Sequence, residues 1–353
     1  MGSEISNPEE QVVLITGGSG FLGLALVEEF LAEEAPIQVK EIRIFDLVEQ
    51  NEVSDSRLKF IQGDVRDLSS LVDAFEGVDL VIHSAAVIDW GAKDEEEVMG
   101  VNVGGTKNVI EACNQSGVGR LILTSSLDSV YTGTSLIDID ESQPYPAKSA
   151  TSYCKSKTLA EKAIISANDE KLMTCVLRPA SIFGERDPYH IPPLIEMSEG
   201  GFYTRLGNGK SVCQHIYVRN MAWSHLLAGK ELLEGNSKVS GQIYFITDGE
   251  PVNFFTFFDR IVRESGYKIW PSNLWLPKWF ALPIAALSEL GAWVIRPFMR
   301  VNLKFSRFAV NYTCTDYTFT SEKARKDFGF IPKYSGEEAI KRTVGYFAKL
   351  DTN

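Results

Sequence analysis

Tyr153 and Lys157 have the side chains and the spacing for proton transfer. They lie four residues apart in a stretch with a helical pattern, which places both on one face of the helix about one turn apart. A tyrosine normally titrates near pH ~10, and a neighbouring ammonium group favours its anion. We therefore expect Lys157 to lower the pKa of Tyr153, so that the phenol can exchange a proton with a substrate. The spacing alone recurs by chance, and its surroundings must support this interpretation.

A cluster of hydroxyl groups, Thr124, Ser125 and Ser126, ends a predicted strand at residues 121–125. Open α/β sheets bind their ligands at the carboxyl ends of the strands. A hydroxyl group there can hold a substrate oxygen. Serine at a strand end is often only a turn former, and it is the pair Tyr153 and Lys157 that favours the site interpretation.

A glycine-rich turn directly follows the first predicted strand, with Gly17, Gly20 and Gly23 spaced three apart as the chain enters a helix. Gly17 permits the tight turn, Gly20 lets the backbone approach a pyrophosphate, and Gly23 lets the helix pack closely on the strand. The helix N-terminus then receives the phosphates. The alternative is a plain glycine-rich turn, but a strand before it and a helix after it favour dinucleotide binding.

Two acidic residues follow the next strands. Asp46 ends the second strand, where a carboxylate accepts hydrogen bonds from the adenosine ribose and repels a 2′-phosphate, so we expect NAD rather than NADP. Its alternative is an ordinary aspartate at a strand end. Asp64 and Val65 follow the third strand and suit the adenine, although Asp64 could equally cap the helix that begins near Leu68.

Apolar strands alternate with helical stretches through the first half of the chain. The predicted strands span residues 12–16, 42–46, 59–62, 80–83, 121–125 and 174–177, with a later one at 242–247. The predicted helices span residues 21–32, 68–75, 103–116 and 151–167. This alternation predicts an α/β fold with a Rossmann-like, doubly wound parallel sheet.

After Gly184 the sequence becomes richer in proline, glycine and aromatic residues. We expect a dinucleotide-binding domain at residues 1–184 and a smaller, partly discontinuous C-terminal substrate region. That region would begin at residues 185–212. The chain would then return to the Rossmann sheet at 213–250, and the substrate region would continue at 251–353.

Composition excludes several classes of function. The 353 residues are 44% hydrophobic and 23% charged, which is typical of a folded globular protein. A net charge of −12 without a basic cluster argues against nucleic acid as a partner. The five cysteines form no CxxC pair, and the histidines lack metal-ligand spacing, so we expect no disulfide framework and no metal. Residues 1–10 are polar and acidic, unlike a secretory signal, so we expect an intracellular protein.

The chain resembles the extended short-chain dehydrogenase/reductase superfamily and, more narrowly, the 3β-hydroxysteroid dehydrogenase family, from about residue 12 to residue 347. The resemblance is carried by residues 16–23, Asp64-Val65, 83–86, 101–106, Thr124-Ser125-Ser126, 153–157 and Arg178-Pro179. The narrower likeness adds residues 41–46, 81–83, 88–89, 217–223 and 241–244.

The resemblance implies a role for each matching residue. Tyr153 would be the acid/base, Lys157 would bind the nicotinamide ribose and tune the tyrosine, and Ser126 would orient the substrate oxygen, with Ser125 as the alternative. Asn102 would hold a water or a backbone link behind Lys157. The residues implied to line the NAD site are Gly17, Gly20, Phe21, Leu22, Gly23, Asp46, Asp64, Val65, Ala85, Tyr153, Lys157, Pro179 and Ile182. His83, at the end of an apolar strand, is expected to be a hydrogen-bonded core histidine.

The family's Δ5–Δ4 isomerase activity needs ionisable groups that shuttle a proton between two steroid carbons. The corresponding stretch here, residues 253–259, is rich in phenylalanine and has Asp259 as its only acid. This departure puts isomerase activity in doubt.

An apolar, aromatic segment spans residues 275–298. Lys278, Pro283 and Glu289 interrupt it, and its uncharged runs are too short for the ~20 residues of a spanning helix. Its aromatic and basic residues suit a helix in the membrane interface through which a sterol enters. A helix that covers the substrate pocket is the equal alternative.

The resemblance implies NAD-dependent oxidation of the 3β-hydroxyl group of a steroid or sterol to a ketone. Alternatives are a decarboxylating sterol-4-carboxylate 3-dehydrogenase, a reductase of long-chain β-keto acids, and a regulatory module that only binds the dinucleotide. A substrate carboxylate would need a cation, for which Arg186 is the candidate, although a surface arginine is the simpler interpretation. The expected partner is a small apolar substrate, with membrane contact and a homodimer as further options.

Overall fold

The structure is a computed structural model that describes residues 10–50, 52–89, 93–295 and 305–348. Its strands are β1 (Gln11–Thr16), β2 (Val39–Asp46), β3 (Leu58–Gln62), β4 (Leu80–His83), β5 (Arg120–Thr124), β6 (Leu136–Ile139), β7 (Met173–Pro179), β8 (Ser181–Phe183), β9 (Arg205–Leu206), β10 (His215–Tyr217), β11 (Gln242–Ile246), β12 (Trp275–Leu276) and β13 (Tyr317–Phe319). Its α-helices are α1 (Phe21–Leu31), α2 (Leu68–Phe75), α3 (Glu95–Met99), α4 (Thr106–Ser116), α5 (Ser152–Ser166), α6 (Ile191–Glu199), α7 (Val218–Leu233), α8 (Phe254–Glu264), α9 (Lys278–Ile295), α10 (Arg307–Thr313), α11 (Glu322–Phe328) and α12 (Gly336–Phe347).

Seven strands form one parallel sheet in the order β11-β7-β5-β4-β1-β2-β3. The chain starts in the middle with β1, winds outward to β3, and then crosses back to β4 on the other side of β1. The carboxyl ends of β1 and β4 therefore diverge at the switch point where such sheets bind ligands. The predicted doubly wound α/β fold is confirmed.

The central strands are buried on both faces, which is why they read as continuous apolar runs. Every residue of β4, for example, is buried. Separate apolar clusters lie on the two sides of the sheet. Helices α1 and α7 pack together on one side, and α2 and α4 pack together on the other. Rigid layers on both faces fix the strand ends that carry the site.

Part of the C-terminal half belongs to the central sheet and its covering helices, and the rest packs outside that sheet. Residues 213–250 contribute α7, which packs on α1, and β11, which extends the sheet beside β7. Strand β13 pairs with β6 from the first half, and β10 pairs with β8. These long-range pairings bring α10 to the carboxyl end of the sheet.

One predicted helix differs in the structure. The helix expected at 103–116 begins as α4 at Thr106, after a π-helical turn over Gly100–Gly105. A Cβ on Gly105 would lie 2.6 Å from a side-chain carbon of Val65, so the turn passes very close to the β3–α2 loop. Glycine lets the wider turn fit there, and this turn carries Asn102, which bonds to the backbone of Val87 and to Ser156.

A buried ion pair joins β7 to α5. Nη2 of Arg178 lies 2.7 Å from Oε2 of Glu161, and both side chains are almost fully buried. Glu161 also accepts hydrogen bonds from Tyr145 and from Ser125 at the end of β5. The pair therefore holds two strands and a helix together directly behind the site.

Replacing Arg178 with Met should leave the Glu161 carboxylate buried without its cation and lower the free energy of unfolding by about 3–5 kcal/mol. Denaturant unfolding measures this change. Arg57→Met removes an ion pair at the surface with Asp55 and should change stability little. Equal effects of the two substitutions would contradict the role given to the buried pair.

Candidate active site

A cavity of about 460 Å³ opens at the carboxyl ends of β1, β4 and β5. Of the residues predicted to be catalytic or to bind NAD, all but Asn102 line it, and so does Ser125, the alternative to Ser126. They are Gly17, Gly20, Phe21, Leu22, Gly23, Asp46, Asp64, Val65, Ala85, Ser125, Ser126, Tyr153, Lys157, Pro179 and Ile182.

The glycine turn between β1 and α1 has no room for side chains at two of its positions. Gly17 has φ of +70°, and a Cβ there would lie 2.8 Å from the backbone of Ala85. A Cβ on Gly23 would lie 2.2 Å from the carbonyl oxygen of Gly17. The hydroxyl group of Ser19 in this turn is buried without a hydrogen-bond partner among the described residues. An unsatisfied donor beside a helix N-terminus fits the phosphates of a dinucleotide.

The carboxylate of Asp46 is oriented by the same turn. It accepts hydrogen bonds from the backbone N–H of Ser19 at 3.0 Å and of Leu47 at 2.7 Å. Residues 47–50 contain no basic side chain that would receive a 2′-phosphate. The local charge thus favours ribose hydroxyl groups over a phosphate.

Asp64 is not the helix cap that one interpretation proposed. Asp67 caps α2 by accepting a hydrogen bond from the backbone N–H of Ser69. Asp64 instead lines the cavity and pairs with Arg66 at 2.6 Å, which holds the pKa of this carboxyl group below its usual value. Because Asp64 is not a cap and lies in the cavity wall beside Val65, contact with the adenine stays the prediction for this residue.

Helix α5 brings Tyr153 and Lys157 to the cavity. Thr151 caps this helix through the backbone N–H of Cys154. Both side chains are buried, with 7% of Tyr153 and 5% of Lys157 exposed. Nζ of Lys157 donates to the carbonyl oxygen of Thr124 at 3.0 Å and lies 5.8 Å from the centre of the Tyr153 ring.

The expected lowering of the Tyr153 pKa is wrong for this structure. Burial raises the pKa of Tyr153 well above 10, the negative charge of Asp128 raises it further, and the hydrogen bond with Ser126 opposes both effects. Burial also lowers the pKa of Lys157 to about 8, against the opposing charges of Glu161 and Asp128. The neutral phenol is therefore the favoured form of Tyr153 at neutral pH.

The two serines at the end of β5 point in different directions. Ser125 donates its hydroxyl hydrogen to Glu161, behind the cavity. Ser126 caps the short 3₁₀ turn at Leu127–Ser129, hydrogen-bonds with Tyr153, and donates to Oδ2 of Asp128 at 2.8 Å. Ser126 is thus the hydroxyl group beside the phenol, whereas Ser125 fastens the strand end.

Asn102 forms a link through backbone atoms, one of the two options expected for it. Its amide group exchanges hydrogen bonds with the backbone of Val87 at 2.7 and 3.0 Å and donates to Oγ of Ser156 at 2.9 Å. Because Ser156 precedes Lys157, Asn102 ties the loop after β4 to the helix that carries the pair.

His83 is a structural residue, as expected. Its ring nitrogens lie 2.7 Å from the hydroxyl group of Thr16 and 3.0 Å from that of Thr106. Burial lowers the pKa of His83 to about 3, so it is neutral at physiological pH. Within the described ranges, no group of three metal-ligating side chains is found.

The cavity is also lined by residues that the sequence did not single out. They include Asp128, Ser181, Tyr189, His190, Phe308 and Tyr312. Phe308 and Tyr312 lie four residues apart on α10, and the sequence alone shows that both could lie on one face of a helix. Their position at the site depends on the pairing of β13 with β6, which no local pattern predicts.

Two other residues lie away from the cavity. Arg186, the candidate cation for a substrate carboxylate, pairs with Glu28 at 2.8 Å and also with Glu52. Asp259, the only acid of its stretch, accepts hydrogen bonds from Tyr203 and Arg205 in a buried cluster. Neither residue lines the cavity.

The doubly wound sheet and the glycine turn together are typical of a dinucleotide-binding α/β protein. Solved structures support the fold. A dTDP-glucose 4,6-dehydratase from Streptomyces venezuelae matches with a TM-score of 0.73 and 22% identity, over 95% of this chain and 96% of that one. A UDP-glucose 4-epimerase from Thermotoga maritima matches with a TM-score of 0.71 and 20% identity, over 95% and 98%.

Sequence comparison defines the family. The model of the 3-beta hydroxysteroid dehydrogenase/isomerase family matches residues 14–277. A mouse sterol-4-alpha-carboxylate 3-dehydrogenase, decarboxylating, is 34% identical over 99% of this chain and 93% of its own. Human 3 beta-hydroxysteroid dehydrogenase type 7 is 32% identical over 97% of each. The chain belongs to the 3-beta hydroxysteroid dehydrogenase/isomerase family, which confirms the predicted class of NAD-dependent short-chain dehydrogenase.

Gly23→Ala should weaken dinucleotide binding because the new Cβ must displace the carbonyl of Gly17. Overpacking of this kind costs about 1–3 kcal/mol, which corresponds to a dissociation constant raised about 5-fold to 140-fold. Calorimetric titration with NAD measures it. Gly345→Ala, in α12 with no atom within 4 Å of the added Cβ, is the matched control. Unchanged affinity in Gly23→Ala would contradict the close approach.

Proposed function

We propose that this protein uses NAD to oxidise the 3β-hydroxyl group of a sterol or steroid to a ketone, and that Tyr153, Lys157 and Ser126 are its catalytic residues. The carrying observation is their meeting on one wall of the cavity. The substrate end of that cavity also has the apolar and aromatic side chains of Ile182, Phe308 and Tyr312. Such a surface suits a bulky apolar alcohol.

The residues divide the work between them. Ser126 and Tyr153 would hold the alcohol oxygen by hydrogen bonds, with the reacting carbon facing the cofactor pocket. In the reducing direction, the neutral phenol favoured by burial is ready to donate its proton to the ketone oxygen. In the oxidising direction, Tyr153 must first lose its own proton, because only the phenolate can accept the alcohol proton and return to the neutral phenol. The buried Lys157 ammonium would favour that phenolate by its charge. When bound, NAD⁺ supplies the hydride acceptor.

The other proposed cofactor contacts follow the cavity wall. The glycine turn and the Ser19 hydroxyl group would receive the phosphates, and Asp46 the adenosine ribose. Asp64, with Val65, would lie beside the adenine. Ala85, Pro179 and Ile182 would line the nicotinamide end. Lys157 would bind the nicotinamide ribose, and Asn102 would act through the backbone link that positions α5.

Asp46→Ala should reduce the preference for NAD over NADP because it removes both the acceptor for the ribose hydroxyl groups and the charge that repels a 2′-phosphate. Direct titrations of wild-type and variant protein with each dinucleotide measure the preference. Asp73→Asn, at an exposed position on α2, controls for the lost negative charge. Equal affinity of the wild-type protein for NAD and NADP would show that Asp46 does not select the cofactor.

Tyr153→Phe should keep the fold and the affinity for NAD but reduce turnover by about 10²-fold or more, because it removes the proton acceptor. Turnover is read as NADH absorbance with a panel of 3β-hydroxysterols. Tyr346→Phe removes an exposed phenol on α12 and should leave turnover unchanged. If Tyr153→Phe turns over like the wild-type protein, the proposed mechanism is wrong.

Helix α9 presents an apolar face to solvent, which supports contact with a membrane surface. Trp279 is 74% exposed, Leu287 68% and Leu290 57%, and these side chains recur at helical spacing. The opposite face buries Ala281 and Ala285 against α10. Within the described residues, no helix has the length and hydrophobicity to cross a bilayer. Residues 296–298 of the predicted apolar segment lie outside the described residues.

We propose that this face lies in the membrane interface. Helix α10, on which α9 packs, carries Phe308 and Tyr312 at the cavity. A sterol that leaves the bilayer beside α9 would therefore meet the substrate end of the site after crossing one helix. The acidic chain opposes adsorption to anionic lipid, so neutral lipid is the expected surface.

The double variant Trp279→Ser, Leu287→Ser should reduce co-sedimentation with phosphatidylcholine vesicles about tenfold or more, since each apolar side chain contributes roughly 1.5–3 kcal/mol when buried. Ile331→Ser, at an exposed position outside α9, is the control. No vesicle binding by the wild-type protein would contradict the proposal. A dimer that the double variant dissociates would instead assign the face to a second copy of the chain.

A further inference from the structure

The reacting oxygen would lie next to a carboxylate that the proposed mechanism does not use. Oδ2 of Asp128 accepts the hydrogen bond of Ser126 at 2.8 Å, and Ser126 in turn contacts Tyr153. Oδ1 of Asp128 is buried and has no hydrogen-bond partner among the described residues. Asp128 also lines the cavity.

The cations near Asp128 have other partners. Lys157 donates to the carbonyl of Thr124, and its charge is shared between Asp128 and Glu161. Nδ1 of His190 lies 3.2 Å from Oδ2 of Asp187, so a protonated His190 faces a carboxylate of its own. Neither cation forms an ion pair with Asp128 within the described part of the chain.

Two arginines farther from Asp128 are also paired with carboxylates. Arg66, at the adenine end, pairs with Asp64. Arg186 pairs with Glu28 and Glu52, away from the cavity. Burial raises the pKa of Asp128 only to about 6, against the opposing effects of Ser126, Lys157 and His190, so it is mostly ionised at pH 7.5.

A carboxylate on C4 of a sterol is attached to the carbon next to the reacting one. If Ser126 and Tyr153 hold the oxygen on C3, that carboxylate enters the same small volume as Asp128. Two like charges at close range in a desolvated site repel each other strongly unless they share a proton or a cation. Uncharged hydroxysterols meet no such penalty.

We propose that Asp128 makes this site select 3β-hydroxysterols without a carboxylate next to the reacting carbon. The proposal rests on the proposed function and narrows its substrate class. The proposed substrate class thus differs from the one that the names of two relatives specify, the mouse and human sterol-4-alpha-carboxylate 3-dehydrogenases. Asp128 acts here as a specificity residue that opposes the wrong substrate.

The test compares kcat/KM at pH 7.5 for a neutral 3β-hydroxysterol and for the same sterol with a 4α-carboxylate, both with NAD⁺. We expect the wild-type protein to favour the neutral sterol by about tenfold or more, mainly through a higher KM for the acid. Asp128→Asn, whose amide oxygen can still accept from Ser126, should bring the two values within a few fold of each other. Asp73→Asn should keep the wild-type ratio.

Each other outcome has a distinct meaning. A wild-type preference for the carboxylated sterol would overturn the proposal even if Asp128→Asn failed to fold. A ratio unchanged in a folded, active Asp128→Asn protein would also overturn it. If His190→Gln alone abolished turnover of the acid, His190 would be its cation, and the repulsion from Asp128 proposed here would be wrong. Turnover of neither sterol would instead remove the proposed function on which the inference rests.

Discussion

The hydrogen bond from the Lys157 ammonium group to the carbonyl oxygen of Thr124 connects the two elements on which the site depends. It fixes α5, which carries Tyr153, against the end of β5, which carries Ser126. A buried ammonium group is costly, and burial lowers its pKa to about 8 even against the opposing charges of Glu161 and Asp128. The carboxylates of Glu161 and Asp128 offset part of that cost because they favour the protonated form of Lys157.

This constraint explains the buried polar network behind the site. Glu161 lies one helical turn beyond Lys157 and receives Arg178 from β7 and Ser125 from β5. The charge of Glu161 is thereby satisfied from two strands, which must both be in place beside α5 before the site exists. Because such groups are expensive to bury singly, the network forms as a unit with the sheet. Asn102 adds the corresponding link on the side of β4.

Much of the cofactor half could be predicted from the sequence because its signals are local. The glycine turn, Asp46 and the spacing of Tyr153 and Lys157 each lie within one strand–turn or one helix. The substrate half could not be predicted in the same way. In the sequence, Asp128 cannot be distinguished from an ordinary turn residue. Phe308 lies at the site only because β13, which follows α10, pairs with the distant strand β6. The expected pKa shift of Tyr153 was wrong because spacing along a helix does not reveal burial, which dominates its titration here.

The most direct measurement of the central claim follows the hydrogen on the reacting carbon. A neutral 3β-hydroxysterol labelled with deuterium at C3 is incubated with the protein and NAD⁺, and the products are analysed by mass spectrometry. The account predicts a 3-ketone and a reduced nicotinamide that carries the deuterium. Bound NAD with the label retained on the unreacted alcohol, for every sterol that binds the cavity, would contradict it.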